Sequence, residues 1–247
     1  MIEKAIEIRT KDGTADGFLY QPAENGKWSG VIHLTDIAGI RPAHRQMAER
    51  LASKGYVVAL PNVFYRTGKP PVFDFLFKSG DERTTKRIGE LKAPLTPGGA
   101  MESDASAYVD FLAKQDSVRS GPIGVLGFCF TGPMALRTAA VRPDKIAAAA
   151  SFHGGGLFTD DPASPHAVLP NVKARLYFGH AIEDHSMPKE AIAKFEGALA
   201  AWHGAYESET YDGAHHGWTV PGSPVYNEAQ AERAFQKLTE LLAAKLS

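Results

Sequence analysis

A chain of 247 residues with 44% hydrophobic and 22% charged residues has enough apolar material for a full core, and needs neither a disulfide framework nor a structural metal to fold. Its 27 basic and 28 acidic side chains leave a formal net charge of -1 with no basic run, which argues against a nucleic-acid or anionic-membrane partner. A single cysteine excludes an internal disulfide, no apolar run reaches the roughly 18 residues of a membrane span, and Met1-Ile2-Glu3-Lys4 lacks a signal-peptide pattern, so a cytoplasmic, non-membrane protein is expected.

Hydrophobic periodicity sets out the elements in order. Ile2 to Arg9 alternates apolar and polar residues, and Gly17 to Gln21 follows across Lys11-Asp12-Gly13, the pattern of an antiparallel hairpin at a sheet edge. Gly30 to Thr35 reads as a short apolar strand with Asp36-Ile37-Ala38-Gly39 as its exit loop. A helix opens at Pro42, turns Met47, Ala48, Leu51 and Ala52 inward and stops at Gly55. Tyr56 to Leu60 is the next strand, ended by Pro61.

Between Asn62 and Gly99 the periodicity is lost. This stretch holds Pro70-Pro71, Phe73, Phe75, Phe77 and Asp81-Glu82-Arg83, and is too long for a simple connection. It reads as an insertion with short helices covering a site, its aromatics serving packing before substrate contact.

Alternation then resumes. Ala105, Tyr108, Val109 and Leu112 mark one helical face, and Ile123 to Phe128 is a buried strand. Ala147 to His153 is a strand ending in Gly154-Gly155-Gly156, and Ala174 to Gly179 is another. Ile192, Phe195 and Leu199 mark a helix, Tyr206 to Tyr211 a strand, and Ala231, Phe235, Leu238 and Leu242 the closing helix. Strands alternating with helices over the whole length predict an α/β fold, a single domain with one mostly parallel, doubly wound sheet flanked by helices.

Gly127-Phe128-Cys129-Phe130-Thr131-Gly132 has the form of a nucleophile elbow, with cysteine where hydrolases more often carry serine. Such a strand-to-helix turn holds the nucleophile in a strained conformation and aims the next amide, that of Phe130, at a developing oxyanion. The plain alternative is an ordinary turn with a buried apolar cysteine. In an open α/β sheet, ligands bind at the carboxyl ends of the strands. Reactive or glycine-rich loops follow five candidate strands here: Asp36 to Gly39, Cys129, His153-Gly154-Gly155, His180 to Asp184, and His215-His216-Gly217. The order Cys129, Asp184, His216 is the nucleophile, acid, histidine order of α/β-hydrolases. A cysteine needs a base to become a thiolate, and the base needs a carboxylate to fix its tautomer. Taken singly, an aspartate in a loop is a turn former and a histidine before glycine a surface residue.

The set of motifs resembles the dienelactone hydrolase family, a cysteine-based branch of the α/β-hydrolase fold. The pieces that match are Val31 to Gly39, Gly55 to Pro61, Gly127 to Gly132, Phe152-His153-Gly154-Gly155, Glu183 to Pro188, and Tyr211 to Trp218, in the family's order. The resemblance implies hydrolysis of lactones and small esters without a cofactor or metal, on a small-molecule ester or lactone substrate. By position it makes Cys129 the nucleophile, His216 the base and Asp184 its carboxylate partner. It assigns the amides of Ile37 and Phe130 to the oxyanion hole, and Asp36, Arg83, His153 and Trp218 to substrate binding or thiol modulation. His216 is preferred over His215 because the family's histidine directly precedes glycine.

Three positions depart from the family pattern. Thr131 replaces a glycine, which implies a looser elbow. Asp36 is one methylene shorter than the glutamate of the best-known members; it is expected to modulate the thiol, with helix capping or pairing to Arg41 as the alternative. Val220 stands where those members carry an arginine, leaving Arg83 or Arg87 as the candidate anion contact. Rival readings are a metal site from His180, Asp184, His185, His215 and His216, which lacks an orienting helical spacing, a non-catalytic binding protein on the same scaffold, and a general esterase or thioesterase of the same mechanism.

Overall fold

The computed structural model describes residues 1–96 and 98–246; Pro97, inside the 62–99 insertion, and Ser247, the last residue of the expected domain, lie outside the described residues. The chain gathers into two compact units, Met1–Arg119 and Ser120–Ser247.

In the first unit, β1 (Ile2–Thr10) and β2 (Gly13–Gln21) form the expected hairpin, in register from Ile2 opposite Gln21 to Thr10 opposite Gly13. β2 continues antiparallel against β4 (Tyr56–Pro61), and β4 pairs parallel with β3 (Ser29–His33), giving the order β1-β2-β4-β3. The β2–β4 ladder requires Gly17, because a Cβ there would come within 2.4 Å of the Leu60 carbonyl oxygen. β3 and β4 are buried along their whole length, which is why they read as apolar runs with no alternation.

α1 (Pro42–Ala52) starts with proline at its first turn, where the missing N–H costs nothing. It buries Ala48, Leu51 and Ala52 as expected, but the fourth buried residue is His44, while Met47 is only half-buried. Within the 62–99 stretch lies α2 (Glu82–Lys92), capped by Asp81, which accepts the Thr84 amide at 3.2 Å. Phe73 meets Phe75 and Phe77 edge-on at centroid distances of 5.5 and 5.2 Å, so these aromatics pack on one another. α3 (Ala100–Ala113) buries Ala105, Tyr108, Val109 and Leu112, the face read from their spacing.

The second unit alternates strand and helix: β5 (Ile123–Phe128), α4 (Gly132–Val141), β6 (Ile146–Phe152), β7 (Arg175–His180), α5 (Lys189–Trp202), β8 (Tyr206–Thr210) and α6 (Glu228–Leu246). Its strands run parallel in the order β5-β6-β7-β8. All four carboxyl ends therefore open on the same side, and the loops that follow them can converge there. Beneath them Phe128 stacks on Phe152 at 5.5 Å, and Phe178 meets Phe195 edge-on at 4.8 Å. Each such buried ring stabilises the fold by roughly 1.5–3 kcal/mol. Among the described residues, no helix is long and apolar enough to cross a membrane.

Candidate active site

β5 ends in a single-turn helix, Cys129–Thr131, that passes directly into α4. Cys129 has φ 54°, in the left-handed region that a side chain avoids at a cost on the order of 1–3 kcal/mol. Thr131 helps to hold this conformation. Its buried hydroxyl accepts the Phe128 amide at 2.9 Å and donates to the Phe128 carbonyl at 3.1 Å. The looser elbow expected from threonine is therefore not what folds, because the hydroxyl ties the turn to the last strand residue. Gly127 and Gly132 are required for space: a Cβ at the first would lie 2.1 Å from the Thr131 carbonyl oxygen, and at the second 2.4 Å from Ser151 Oγ. Cys129 itself is partly exposed.

The acid and the base reach this turn from the loops after β7 and β8. Glu183, at φ 50°, turns the chain so that Asp184 points inward, where its side chain is 3% exposed. Asp184 Oδ2 accepts from His216 Nδ1 at 2.6 Å, and the same imidazole interacts with the Cys129 side chain. Burial alone would lower the His216 pKa, but the hydrogen bonds to Asp184 and Cys129, with the charges of both, push it up to about 10. Burial likewise works to raise the pKa of Asp184, and its bonds to His216 and Ser186 outweigh that and lower it. His215 points elsewhere: it is half-exposed, with its nearest carboxylate, Glu183, at 3.9 Å.

His153 and Trp218 flank this group. His153, at φ 39° after β6, is buried; its Nε2 shares a 2.7 Å hydrogen bond with Thr219 Oγ1, and its ring meets His216 edge-on at 5.1 Å. Trp218 is wholly buried and stacked on Tyr211 at 4.3 Å, so its indole packs as core beneath the loop that carries His216.

The remaining expected residues belong to the first unit. Asp36 follows β3, and both its oxygens are engaged by Arg41, Nη1 to Oδ1 and Nη2 to Oδ2, each at 2.5 Å. Oδ1 also accepts the Ala38 amide at 2.9 Å, closing a turn around the buried Ile37. Behind it, His44 Nε2 accepts the Asp36 amide at 3.3 Å, and His44 Nδ1 shares a 2.9 Å hydrogen bond with His33 Nε2. Burial holds both histidines below the usual histidine value. Burial would raise the Asp36 pKa, but its bonds to His44 and Arg41 and their charges keep it well below the usual carboxylate range. Of the two sequence alternatives for Asp36, the pairing with Arg41 is present. Arg83 is exposed, lies over the Phe75 ring at 3.9 Å and pairs with Asp74 at 3.2 Å. Arg87 donates to the Val72 carbonyl at 2.9 Å and to Glu90 at 3.0 Å.

Sequence reading passed over Ser186, Thr219 and His44. Ser186 had a signal, since a serine two residues after a loop aspartate is a turn-forming pattern; the other two had none. A strained thiol, an imidazole and a buried carboxylate in series can generate a thiolate and shuttle one proton, the equipment of nucleophilic acyl transfer. Among the described residues, no three His, Cys, Asp or Glu side chains are grouped to hold a metal ion.

Comparison with known proteins gives the chain its family. The sequence profile described as the dienelactone hydrolase family matches residues 15–246. The chain is 28% identical over 235 residues to the carboxymethylenebutenolidase of Rhodococcus opacus, covering 93% of this chain and 86% of that protein. The crystal structure of dienelactone hydrolase from Anabaena variabilis superposes with a TM-score of 0.69 at 21% identity, over 100% of this chain and 99% of the other. A dienelactone hydrolase-like promiscuous phosphotriesterase from metagenomic libraries superposes at 0.79 with 18% identity, over 100% of both chains. These structural likenesses carry the fold: the α/β-hydrolase architecture, mostly parallel and flanked by helices.

Proposed function

The chain belongs to the dienelactone hydrolase family, and from that premise we propose that it cleaves lactones or small carboxylic esters through a thioester on Cys129, with His216 as base and Asp184 as its partner. The observation that carries this reading is the 2.6 Å bond between His216 Nδ1 and Asp184, made by an imidazole that also interacts with the Cys129 side chain. With Nδ1 committed to the carboxylate, Nε2 is the nitrogen that exchanges a proton with sulfur.

In the proposed cycle, His216 holds the Cys129 proton as imidazolium, and the thiolate attacks the substrate carbonyl. Negative charge moves to the carbonyl oxygen, where the Phe130 amide is the proposed donor. Collapse breaks the C–O bond, and the His216 imidazolium protonates the leaving alkoxide, which in a lactone stays tethered to the acyl group. His216 then deprotonates a water that attacks the thioester. The second collapse releases the acid and restores the thiolate beside the imidazolium.

The test is hydrolysis of a panel of lactones, aryl esters and acyl thioesters by wild type and Cys129→Ala. Cys129→Ala is expected to lose about 10³-fold or more in kcat, and thiol alkylation to abolish turnover unless substrate protects. Near-normal turnover by the alanine variant would remove the thiol from the mechanism. The panel also separates lactone preference from a general esterase or thioesterase.

A further inference from the structure

An aspartate serves a histidine only while one of its two oxygens stays aimed at the ring, and the terminal carboxylate torsion is soft and two-fold. Something must therefore hold the oxygen that the histidine does not use. In this protein both donors to that oxygen come from Ser186, its amide at 2.8 Å and its hydroxyl at 2.7 Å, each onto Asp184 Oδ1. With its O–H donated in that hydrogen bond, the hydroxyl oxygen presents lone pairs to His216 Nδ1 at 3.3 Å, a secondary acceptor beside the 2.6 Å bond to Oδ2.

We propose that Ser186 is a positioning residue, whose hydroxyl holds Asp184 Oδ1 so that Oδ2 and the His216 N–H stay aligned through the reaction. The inference rests on the thiol mechanism proposed above and adds a residue to it.

Two further contacts set Ser186 apart from an incidental turn former. Its carbonyl accepts the Gly156 amide at 2.7 Å, and the neighbouring Gly155 amide donates to the Cys129 carbonyl at 3.2 Å. The acid loop is thereby tied, through the turn after β6, to the backbone of the nucleophile itself. The space is also made for it, since a Cβ on Gly155 would lie 2.8 Å from Ser186 Oγ. An alanine at 186 keeps both backbone bonds and removes only the hydroxyl, and the residue is exposed, so the variant isolates the orienting bond from folding.

The experiment uses the full chain, with p-nitrophenyl acetate as probe, and compares Ser186→Ala and Ser186→Thr with wild type and Cys129→Ala. Ser186→Ala is expected to lower kcat about tenfold, the loss of a hydrogen bond to a charged group, with KM within about twofold. Ser186→Thr restores the hydroxyl and should recover kcat to within about threefold of wild type. The downfield proton resonance of His216 Nδ1–H supplies a readout independent of turnover: it should move upfield in Ser186→Ala and stay in place in Ser186→Thr. Wild-type kcat and an unmoved resonance in Ser186→Ala overturn the proposal, as does equal impairment of the alanine and threonine variants. If Cys129→Ala keeps its turnover, the thiol mechanism fails first; if Cys129→Ala is inactive while Ser186→Ala is normal, only the role of Ser186 falls.

Discussion

Asp36 and Arg41 form a two-point ion pair, each carboxylate oxygen 2.5 Å from a different guanidinium nitrogen. Parallel N–H···O bonds of this kind combine charge with fixed geometry, and here they clamp the loop around Ile37 onto the start of α1. They also neutralise the carboxylate within its own loop.

Asp36→Asn is therefore expected to cost stability more than it alters the thiol. Stripping the charge should lower stability by about 1–3 kcal/mol, seen as a drop in Tm. The rate at which iodoacetamide alkylates free enzyme should stay within about twofold of wild type. Faster alkylation with an unchanged Tm would show instead that Asp36 acts on the thiol.

The two adjacent histidines should separate by about three orders of magnitude. His216→Ala removes the group that bonds Asp184 and interacts with Cys129, and members of such a unit fail together, so a loss of about 10³-fold or more in kcat is expected. His215 is half-exposed and 3.9 Å from Glu183, and its alanine variant should stay within about twofold of wild type. Steady-state kinetics on one ester decides it, and the reverse ranking would move the base.

Stability should fall away on both sides of neutrality for opposite reasons. Burial lowers the His180 pKa from 6.5 to about 4 against the pull of Asp184, so between those values the unfolded chain takes up a proton that the folded one refuses. Stability must drop as pH falls through that window, and His33 and His44, also lowered by burial, add to the same slope. His216 has the other sign. Burial opposes its protonation, but the bonds to Asp184 and Cys129 raise its pKa from 6.5 to about 10. The stability it contributes is complete below 6.5 and is lost as pH rises to about 10. Thermal melts from pH 4 to 10 should trace a dome, and His180→Asn should flatten its acid limb. A Tm that rises steadily with pH would contradict the assignment.

Substrate charge should matter. Val220, where the best-known relatives carry an arginine, is buried and apolar, Arg83 is paired with Asp74, and Arg87 is held by the Val72 carbonyl and Glu90. A carboxylate buried without a donor costs several kcal/mol, so a neutral lactone methyl ester should exceed its free acid by about tenfold or more in kcat/KM. Preference for the free acid would reveal another cation at work.

The amino-acid sequence by itself determined the order of strands and helices, because periods of 2 and 3.6 and the glycine and proline stops are local properties of the chain. It also determined the elbow, since Gly127 and Gly132 leave room that any side chain would fill. The order Cys129, Asp184, His216 was legible as well, each residue lying in a turn or loop that follows a strand. Which partner each polar side chain takes was decided only by tertiary structure. His44 gave no signal along the chain, and only the fold brought His33 of β3 to it, while Met47 lost the inward place expected of it. Thr131 looked like a defect until its hydroxyl met Phe128 across the turn. Ser186 lies 30 positions before His216 and shares a carboxylate with it only because β7 and β8 run side by side. A hydrogen bond depends on distance and angle to within a few tenths of an ångström, and periodicity along a chain carries no information at that scale about residues it does not join.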